Sequence, residues 1–84
     1  MFYLYILKSK KDKEMYIGST NDLRKRLAMH NSGKIYSTKF RKPLDLIYYE
    51  AYKSEEDARR REHNLKLRSR AFAQLMKRIQ ESLK

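Results

Sequence analysis

Two apolar stretches open the chain, and a lysine-rich segment at residues 8–13 separates them. Residues 2–7 and 14–19 are rich in tyrosine and isoleucine, which is typical of β-strands. Because a short polar connection joins them, we predict a β-hairpin. Both faces of the first stretch are apolar, which indicates that this strand is covered on both sides.

A helix is predicted over residues 22–31, where two leucines four positions apart would face the core. Thr20 or Asn21 would be its N-cap, and Asp22 would belong to the first turn. Gly33 can adopt the left-handed conformation that ends many helices, so we expect this helix to stop just before it.

The second half of the chain predicts one strand and two helices. Residues 44–52 have the composition of a third strand. Ser54 precedes three acidic residues, a pattern that starts a helix, and we expect this helix to end at about residue 67. Ser69 would cap a terminal helix that reaches about residue 83.

The predicted order is strand, strand, helix, strand, helix, helix. Mixed elements around one small sheet predict an α+β fold, in which a three-stranded antiparallel sheet is flanked by helices. With 84 residues we expect one domain over residues 1–84. Its core would cover about 1–67, and its C-terminal helix would cover about 69–83.

The charge of the chain indicates a polyanionic partner. The formal net charge is +11, and such a field attracts nucleic acid above all. The basic residues are spread over several elements instead of one long amphipathic helix, which favours nucleic acid over a membrane. There is no cysteine, no signal-peptide pattern and no run of transmembrane length. We therefore expect a cytoplasmic protein without disulfides or a structural zinc site.

Arg26 and His30 lie four residues apart on the first predicted helix, so they share a face that flanks the leucines. Exposed charge is the ordinary state of a helix surface, so Arg24, Lys25 and Arg26 also fit a solvated basic face. The spacing by itself leaves both interpretations open.

Glu62 falls on the inward stripe of the second predicted helix, between Ala58 and Leu65. A carboxylate in such a position needs a partner, because burying it alone is costly. A salt bridge to an arginine would satisfy it. So would a divalent metal, since Mg²⁺ is commonly held by one or two carboxylates together with water and phosphate.

Seven tyrosines occur in the chain, and a tyrosine in a strand is usually a packing residue. Tyr48 and Tyr49 fit that role. Tyr5 and Tyr16 differ, because the predicted hairpin places them on adjacent strands, where their hydroxyl groups can converge on one site.

Four motifs occur in an order that resembles the GIY-YIG nuclease domain. They are Tyr3-Leu4-Tyr5, Tyr16-Ile17-Gly18, the helical segment around Arg26, and Arg60-Arg61-Glu62. The likeness extends to about residue 67 and is greatest to the small single-domain bacterial members. Tyr3 stands where the first motif has glycine, a replacement that is common in that group.

The resemblance implies a catalytic site of five residues: Tyr5, Tyr16, Arg26, His30 and Glu62. Arg26 would bind phosphate, and Glu62 would hold a divalent metal, Mg²⁺ or Mn²⁺. Tyr5 would orient or deprotonate the attacking water, supported by Tyr16 and His30. Since a free tyrosine has a pKa near 10, that role requires positive charge nearby. Gly18 would let the strand pass into the helix close to the phosphate.

The expected function is that of a metal-dependent DNA endonuclease that hydrolyses phosphodiester bonds in DNA repair or recombination, acting on branched or otherwise structured DNA. We expect a monomer without a separate recognition domain. Residues of the loop before Pro43 and of the second helix would bind the DNA backbone: Lys34, Ser37, Thr38, Lys39, Arg41, Lys42, Arg59, Arg60 and Lys66.

Two other functions fit part of the sequence. A non-catalytic nucleic-acid-binding module would use the same basic residues equally well. An adaptor that binds an acidic protein would need only the charge. Neither of these functions requires Tyr5, Tyr16, Arg26 and Glu62 to occur together at the motif positions. Their joint occurrence therefore favours the enzyme.

Overall fold

The computed structural model, which describes all residues from Met1 to Lys84, contains one three-stranded antiparallel sheet and three α-helices. The strands are β1 (Phe2–Ser9), β2 (Met15–Thr20) and β3 (Leu44–Tyr52), in the spatial order β2-β1-β3. The helices are α1 (Leu23–Asn31), α2 (Glu55–Lys66) and α3 (Arg70–Arg78), and 3₁₀ turns cover Tyr36–Thr38 and Gln80–Leu83. The predicted α+β class and antiparallel sheet are confirmed.

β1 is the middle strand, and its alternating side chains fill two separate cores. Leu4 and Ile6 pack beneath α2 and α3, whereas Tyr5 and Leu7 pack on the opposite face beneath α1. All four side chains are at most 1% exposed. Because each buried side chain of this size contributes about 1.5–3 kcal/mol, β1 is central to stability. The prediction that both of its faces are covered is confirmed.

The start of α1 corrects the predicted cap. The N-cap is Asp22, not Thr20 or Asn21. Asp22 has an extended backbone, and its carboxylate accepts a hydrogen bond from the backbone N–H of Lys25 at 3.1 Å. The Thr20 hydroxyl accepts instead from the N–H of Asp22. An ionised acceptor at this position also interacts favourably with the positive end of the helix, which explains the choice.

The predicted end of α1 is confirmed, whereas the predicted end of the terminal helix is wrong. Gly33 follows α1 with φ of +78°, so the predicted left-handed residue is confirmed. The terminal helix ends at Arg78, earlier than predicted, because Ile79 leaves the helical conformation. A 3₁₀ turn continues the chain, and the Lys8 ammonium donates a hydrogen bond to the Leu83 carbonyl that holds this turn against β1. No helix is long and apolar enough to cross a membrane.

The loop between α1 and β3 is fastened at both ends. The Asn31 side chain donates to the carbonyl of Leu44 and accepts from its N–H, at 2.9 and 2.7 Å. The Ser9 hydroxyl donates to the Arg41 carbonyl, and the Arg41 side chain pairs with Asp12 at 2.9 Å. These contacts give the loop a defined shape and place its 3₁₀ turn beside α1.

Candidate active site

His30 is the buried centre of a hydrogen-bond chain beneath α1. Its Nε2 lies 2.9 Å from the Tyr5 hydroxyl, and its Nδ1 lies 2.7 Å from the Thr38 hydroxyl. All three residues are at most 1% exposed. A neutral imidazole has one donor and one acceptor nitrogen, so one hydroxyl donates to the ring and the other accepts from it.

The pKa values of this chain are set mainly by burial. Burial lowers the pKa of His30 to about 4, and the Arg26 guanidinium adds to the decrease. Burial raises the pKa of Tyr5 to about 12, although the nearby Arg26 guanidinium opposes the increase. Sequence reasoning expected positive charge to lower the pKa of Tyr5, but here burial outweighs that charge. At pH 7 Tyr5 is protonated and His30 is neutral.

Tyr16 completes an aromatic cluster around His30. The ring centroids of Tyr16 and His30 are 4.9 Å apart, at an interplanar angle of 62°. The centroids of Tyr5 and Tyr16 are 6.3 Å apart. The hairpin therefore brings the two tyrosines together, as the motif order predicts, and Tyr16 is the more exposed of the two.

Gly18 provides the space for the Tyr5 hydroxyl. The two residues are opposite each other on β2 and β1. A Cβ atom at position 18 would lie 2.6 Å from the Tyr5 hydroxyl oxygen and 2.7 Å from the carbon that carries it. Real Cβ contacts this short essentially never occur, so any side chain at this position would displace Tyr5. The contact explains this glycine differently from the predicted approach of the strand to a phosphate.

Arg26 lies half-buried on α1 and lines a cleft of about 310 Å³ that Ser19 and Arg59 also line. Its Nε is buried without a hydrogen-bond partner. Because buried donors are almost always paired, this donor is available to a further partner in the cleft, such as an anion or a water molecule. Arg24 and Lys25, its neighbours on α1, are exposed and form the solvated basic face.

Glu62 is held by two hydrogen bonds beside the same cleft. The Ser19 hydroxyl donates to one carboxylate oxygen and the Lys66 ammonium donates to the other, each at 2.6 Å. The ion pair with Lys66 takes the place of the predicted arginine partner. Sequence reasoning missed Ser19, although it directly follows Gly18 of the second motif. Ser19 connects the carboxylate to the cleft.

The donor set fits a divalent cation bound through one carboxylate. Hard cations prefer oxygen ligands, and Mg²⁺ often takes one or two carboxylates and completes its shell with water and phosphate oxygens. No three histidine, aspartate or glutamate side chains are grouped so that they could hold a metal ion together, so water and phosphate would supply the remaining ligands. Lys66 is 51% exposed, and an i, i+4 pair of this kind contributes only about 0.3–0.5 kcal/mol. A cation could displace it at small cost.

Thr38 corrects one predicted DNA contact. Its side chain is inaccessible to solvent and points to His30, so it cannot contact DNA in this conformation. Ser37, its neighbour in the 3₁₀ turn, is exposed. No local sequence signal marks Thr38 as a buried partner of His30, since the contact depends on how the loop folds back onto α1.

The other predicted DNA contacts lie at or near the surface in two groups. The loop carries Lys34, Lys39, Arg41 and Lys42, and α2 carries Arg59, Arg60 and Lys66. These three residues of α2 pair with Glu55, Asp57 and Glu62 respectively. These are exposed pairs of little strength, so phosphate groups could compete for them.

Glu50 is the centre of a second polar cluster that sequence reasoning missed. Its carboxylate accepts hydrogen bonds from the hydroxyls of Tyr48 and Tyr52 and from the Arg61 guanidinium. Burial alone would raise the pKa of Glu50, but the hydrogen bonds from Arg61 and the tyrosines hold it below its usual range. Both oxygens of this carboxylate already accept hydrogen bonds within the protein, and the cluster connects β3 to α2.

Comparison with known proteins connects the chain to one family. The model of the GIY-YIG catalytic domain matches residues 1–78. A UPF0213 protein of Staphylococcus haemolyticus is 42% identical over 80 residues, which is 94% of each chain. The solution NMR structure of a UPF0213 protein from Bacillus halodurans is similar with a TM-score of 0.55 and 37% identity, over 90% of this chain and 82% of that one.

Relatives from Streptococcus pyogenes match over a shorter segment. A UPF0213 protein of serotype M5 is 49% identical over 57 residues, which is 67% of this chain. The matched segment is 61% of that relative's length, so the chain spans less than two thirds of it.

Proposed function

Because the chain belongs to the GIY-YIG family, which is a family of nucleases, we propose that it is an endonuclease that hydrolyses phosphodiester bonds in DNA with the help of Mg²⁺ or Mn²⁺. The observation that best supports this proposal is that Arg26, which lines the cleft, and Glu62 both lie close enough to Tyr5 to influence its pKa, while the Tyr5 hydroxyl is hydrogen-bonded to His30. A module that only bound DNA would need the basic surface. It would have no use for a buried tyrosine–histidine–threonine chain beside an unpaired arginine donor.

The distribution of charge supports DNA as the substrate. Seven lysine and arginine residues and no acidic residue occur between Asp22 and Asp45, a segment that covers α1 and the following loop. Such a one-sided field attracts the phosphate backbone and speeds association. We propose branched or otherwise structured DNA, of the kinds that arise in repair and recombination, as the substrate.

Arg26 would bind the scissile phosphate. A guanidinium offers parallel N–H donors that match two phosphate oxygens, and it gains strength as charge develops in the transition state. The buried Nε without a partner supports this assignment, because a phosphate would satisfy it. Arg59, which lines the same cleft, would contact a neighbouring phosphate.

Glu62 would hold the metal ion, and Ser19 would keep the carboxylate in position. The bound cation would supply Lewis-acid stabilisation of the phosphate and of the leaving oxygen. Lys66 would release Glu62 and become free to contact the DNA backbone. The exposure of Lys66 and its flexible side chain support this exchange.

Tyr5 would orient the attacking water and pass its own proton to His30 as it accepts one from the water. Because burial raises the pKa of Tyr5 and lowers that of His30, this transfer is unfavourable while both groups are buried. Since Tyr5 is buried, water must enter as the site accommodates DNA. Positive charge held at Glu62 would lower the pKa of Tyr5 and ease its deprotonation, which links proton transfer to occupation of Glu62. Thr38 would hold the imidazole tautomer that leaves Nε2 free to accept.

The test offers duplex, flapped, forked and four-way-junction DNA to the purified protein with Mg²⁺ or Mn²⁺. We expect cleavage of at least one substrate. Arg26→Ala should slow single-turnover cleavage by roughly 10²–10³-fold, the loss typical of removing one transition-state donor, with a much smaller effect on DNA affinity. Arg24→Ala is the matched control, because Arg24 is exposed on the same helix, and it should cleave at nearly the normal rate. Absence of cleavage on every substrate, or equal losses in the two variants, would contradict the proposal.

A further inference from the structure

Two aromatic rings project into solvent from the basic loop. Tyr36 is 85% exposed and Phe40 is 74% exposed, more than any other large apolar side chain of the protein. Single exposed apolar residues are common on protein surfaces and need no explanation. Here two rings lie at the same short turn, and their burial by a partner would be favourable. Their joint exposure indicates a surface that binds something.

Lys39 lies between the two rings. Its ammonium is 5.4 Å from the ring centroid of Tyr36 and 4.9 Å from that of Phe40, within the range of cation–π attraction. Lys34 and Lys42 are exposed on the same loop. Rings interleaved with cations are the arrangement that binds unpaired nucleotides, since the rings stack on bases while the cations contact phosphates.

The loop that carries these rings is already ordered. Thr38 anchors the turn to His30, Asn31 ties the end of α1 to Leu44, and Arg41 pairs with Asp12. A surface held in this way loses little conformational freedom on binding. Thr38 lies two positions from each ring residue and is hydrogen-bonded to His30, so the same turn carries the rings and contacts the Tyr5–His30 chain.

We propose that Tyr36 and Phe40 form a stacking platform for unpaired bases of DNA. This inference rests on the proposed function and defines its substrate class, namely DNA with a single-stranded portion beside the scissile phosphate. Bases in a duplex already stack on one another, so the rings can engage them only where pairing is absent. A membrane would call for a longer apolar helix face, which this three-residue turn does not provide.

The test measures binding by fluorescence anisotropy in EDTA, so that cleavage does not contribute. Three probes are compared at one salt concentration: a short single strand, the same strand with abasic residues, and the corresponding duplex. The double variant Tyr36→Ala/Phe40→Ala should bind the intact single strand about tenfold or more weakly, a loss typical of removing stacked aromatics. Its affinity for the abasic strand and for the duplex should change little.

Three further variants separate stacking from charge and from general apolar contact. Tyr36→Phe should retain affinity, and Tyr36→Leu/Phe40→Leu should not, because leucine is apolar but cannot stack. Lys39→Ala should weaken all three probes about equally, since it removes a phosphate contact. Tyr49→Ala is the matched control, because Tyr49 is a 53% exposed aromatic on β3. Both platform residues are exposed, so unchanged thermal unfolding should confirm intact folding.

The outcomes distinguish this inference from the proposed function. Equal losses on intact and abasic strands, or full affinity of the leucine variant, would overturn the platform. The platform would also be overturned if the wild type bound anionic vesicles instead of DNA and the double variant lost that binding. If the double variant still cleaves DNA and binds it as tightly as the wild type, the platform is overturned and the proposed function is not. If the wild-type protein binds no DNA, both proposals are overturned.

Discussion

Protonation of His30 should destabilise the fold, and the lowered pKa of this buried residue gives the size of the effect. The pKa of His30 is lowered from its ordinary value of 6.5 to about 4, first by burial and then by Arg26. Between these values the unfolded chain binds a proton that the folded chain does not. The contribution of neutral His30 to the free energy of unfolding is therefore fully present above pH 6.5, and it is lost as the pH falls from 6.5 to about 4. The loss amounts to at most about 3 kcal/mol.

Urea unfolding between about pH 7 and pH 5 measures this effect above the range in which most carboxylates titrate. His30→Gln is uncharged at every pH, so its unfolding free energy should depend less on pH than that of the wild type. His63→Gln is the matched control, because His63 is exposed on α2, and it should follow the wild type. Parallel pH dependence of the wild type and His30→Gln would refute the buried, neutral histidine and with it the proposed proton acceptor.

Four other substitutions test the site. Tyr5→Phe removes one hydroxyl, and the single-turnover rate should fall by roughly 10²–10⁴, with a smaller fall for Tyr16→Phe; an unchanged rate for Tyr5→Phe would make Tyr5 a packing residue. Gly18→Ala should push the Tyr5 ring aside, lower stability by about 1–3 kcal/mol in urea unfolding and slow cleavage, whereas normal stability and rate would show that the site tolerates a Cβ. Thr38→Val should slow cleavage and alter its pH profile without weakening DNA binding, and a selective loss of affinity would return Thr38 to the DNA surface.

Most of the secondary structure was predictable, because its causes are local in the sequence. Residues 44–52 were predicted as a strand from composition alone, and β3 has these bounds. Ser54 and the three acids after it correctly marked the start of α2. The cap of α1 was predicted less well, because Thr20, Asn21 and Asp22 are all good capping residues. Only the folded backbone determines which of them reaches the free N–H groups.

The site was predictable only in part. The order of the motifs selected Tyr5, Tyr16, Arg26, His30 and Glu62, and the fold packs the rings of Tyr5, Tyr16 and His30 against one another. The partners of these residues were not predictable, because they come from distant parts of the chain. Ser19 lies 43 positions from Glu62, and Thr38 reaches His30 only because the loop folds back. The buried state that raises the pKa of Tyr5 likewise depends on packing between elements.

The exposed platform residues show another limit of sequence reasoning. Lys39 was identified as a phosphate contact from its charge alone. Tyr36 and Phe40 drew no attention, since an aromatic residue in a loop is as easily buried as exposed. Their exposure and their distances to Lys39 became apparent only from the fold.

The central claim is that this site performs chemistry and does not merely bind DNA, and Glu62→Gln tests it most directly. The substitution keeps the shape of the side chain and removes the charge that would hold the metal. Single-turnover cleavage and affinity are measured on the same DNA, with Glu56→Gln, an exposed acid on the same helix, as the matched control. We predict that Glu62→Gln abolishes cleavage and leaves affinity nearly unchanged, while Glu56→Gln cleaves normally. Equal cleavage by the wild type and Glu62→Gln, in equally pure preparations, would contradict the claim, as would tight DNA binding by a wild type that cleaves nothing.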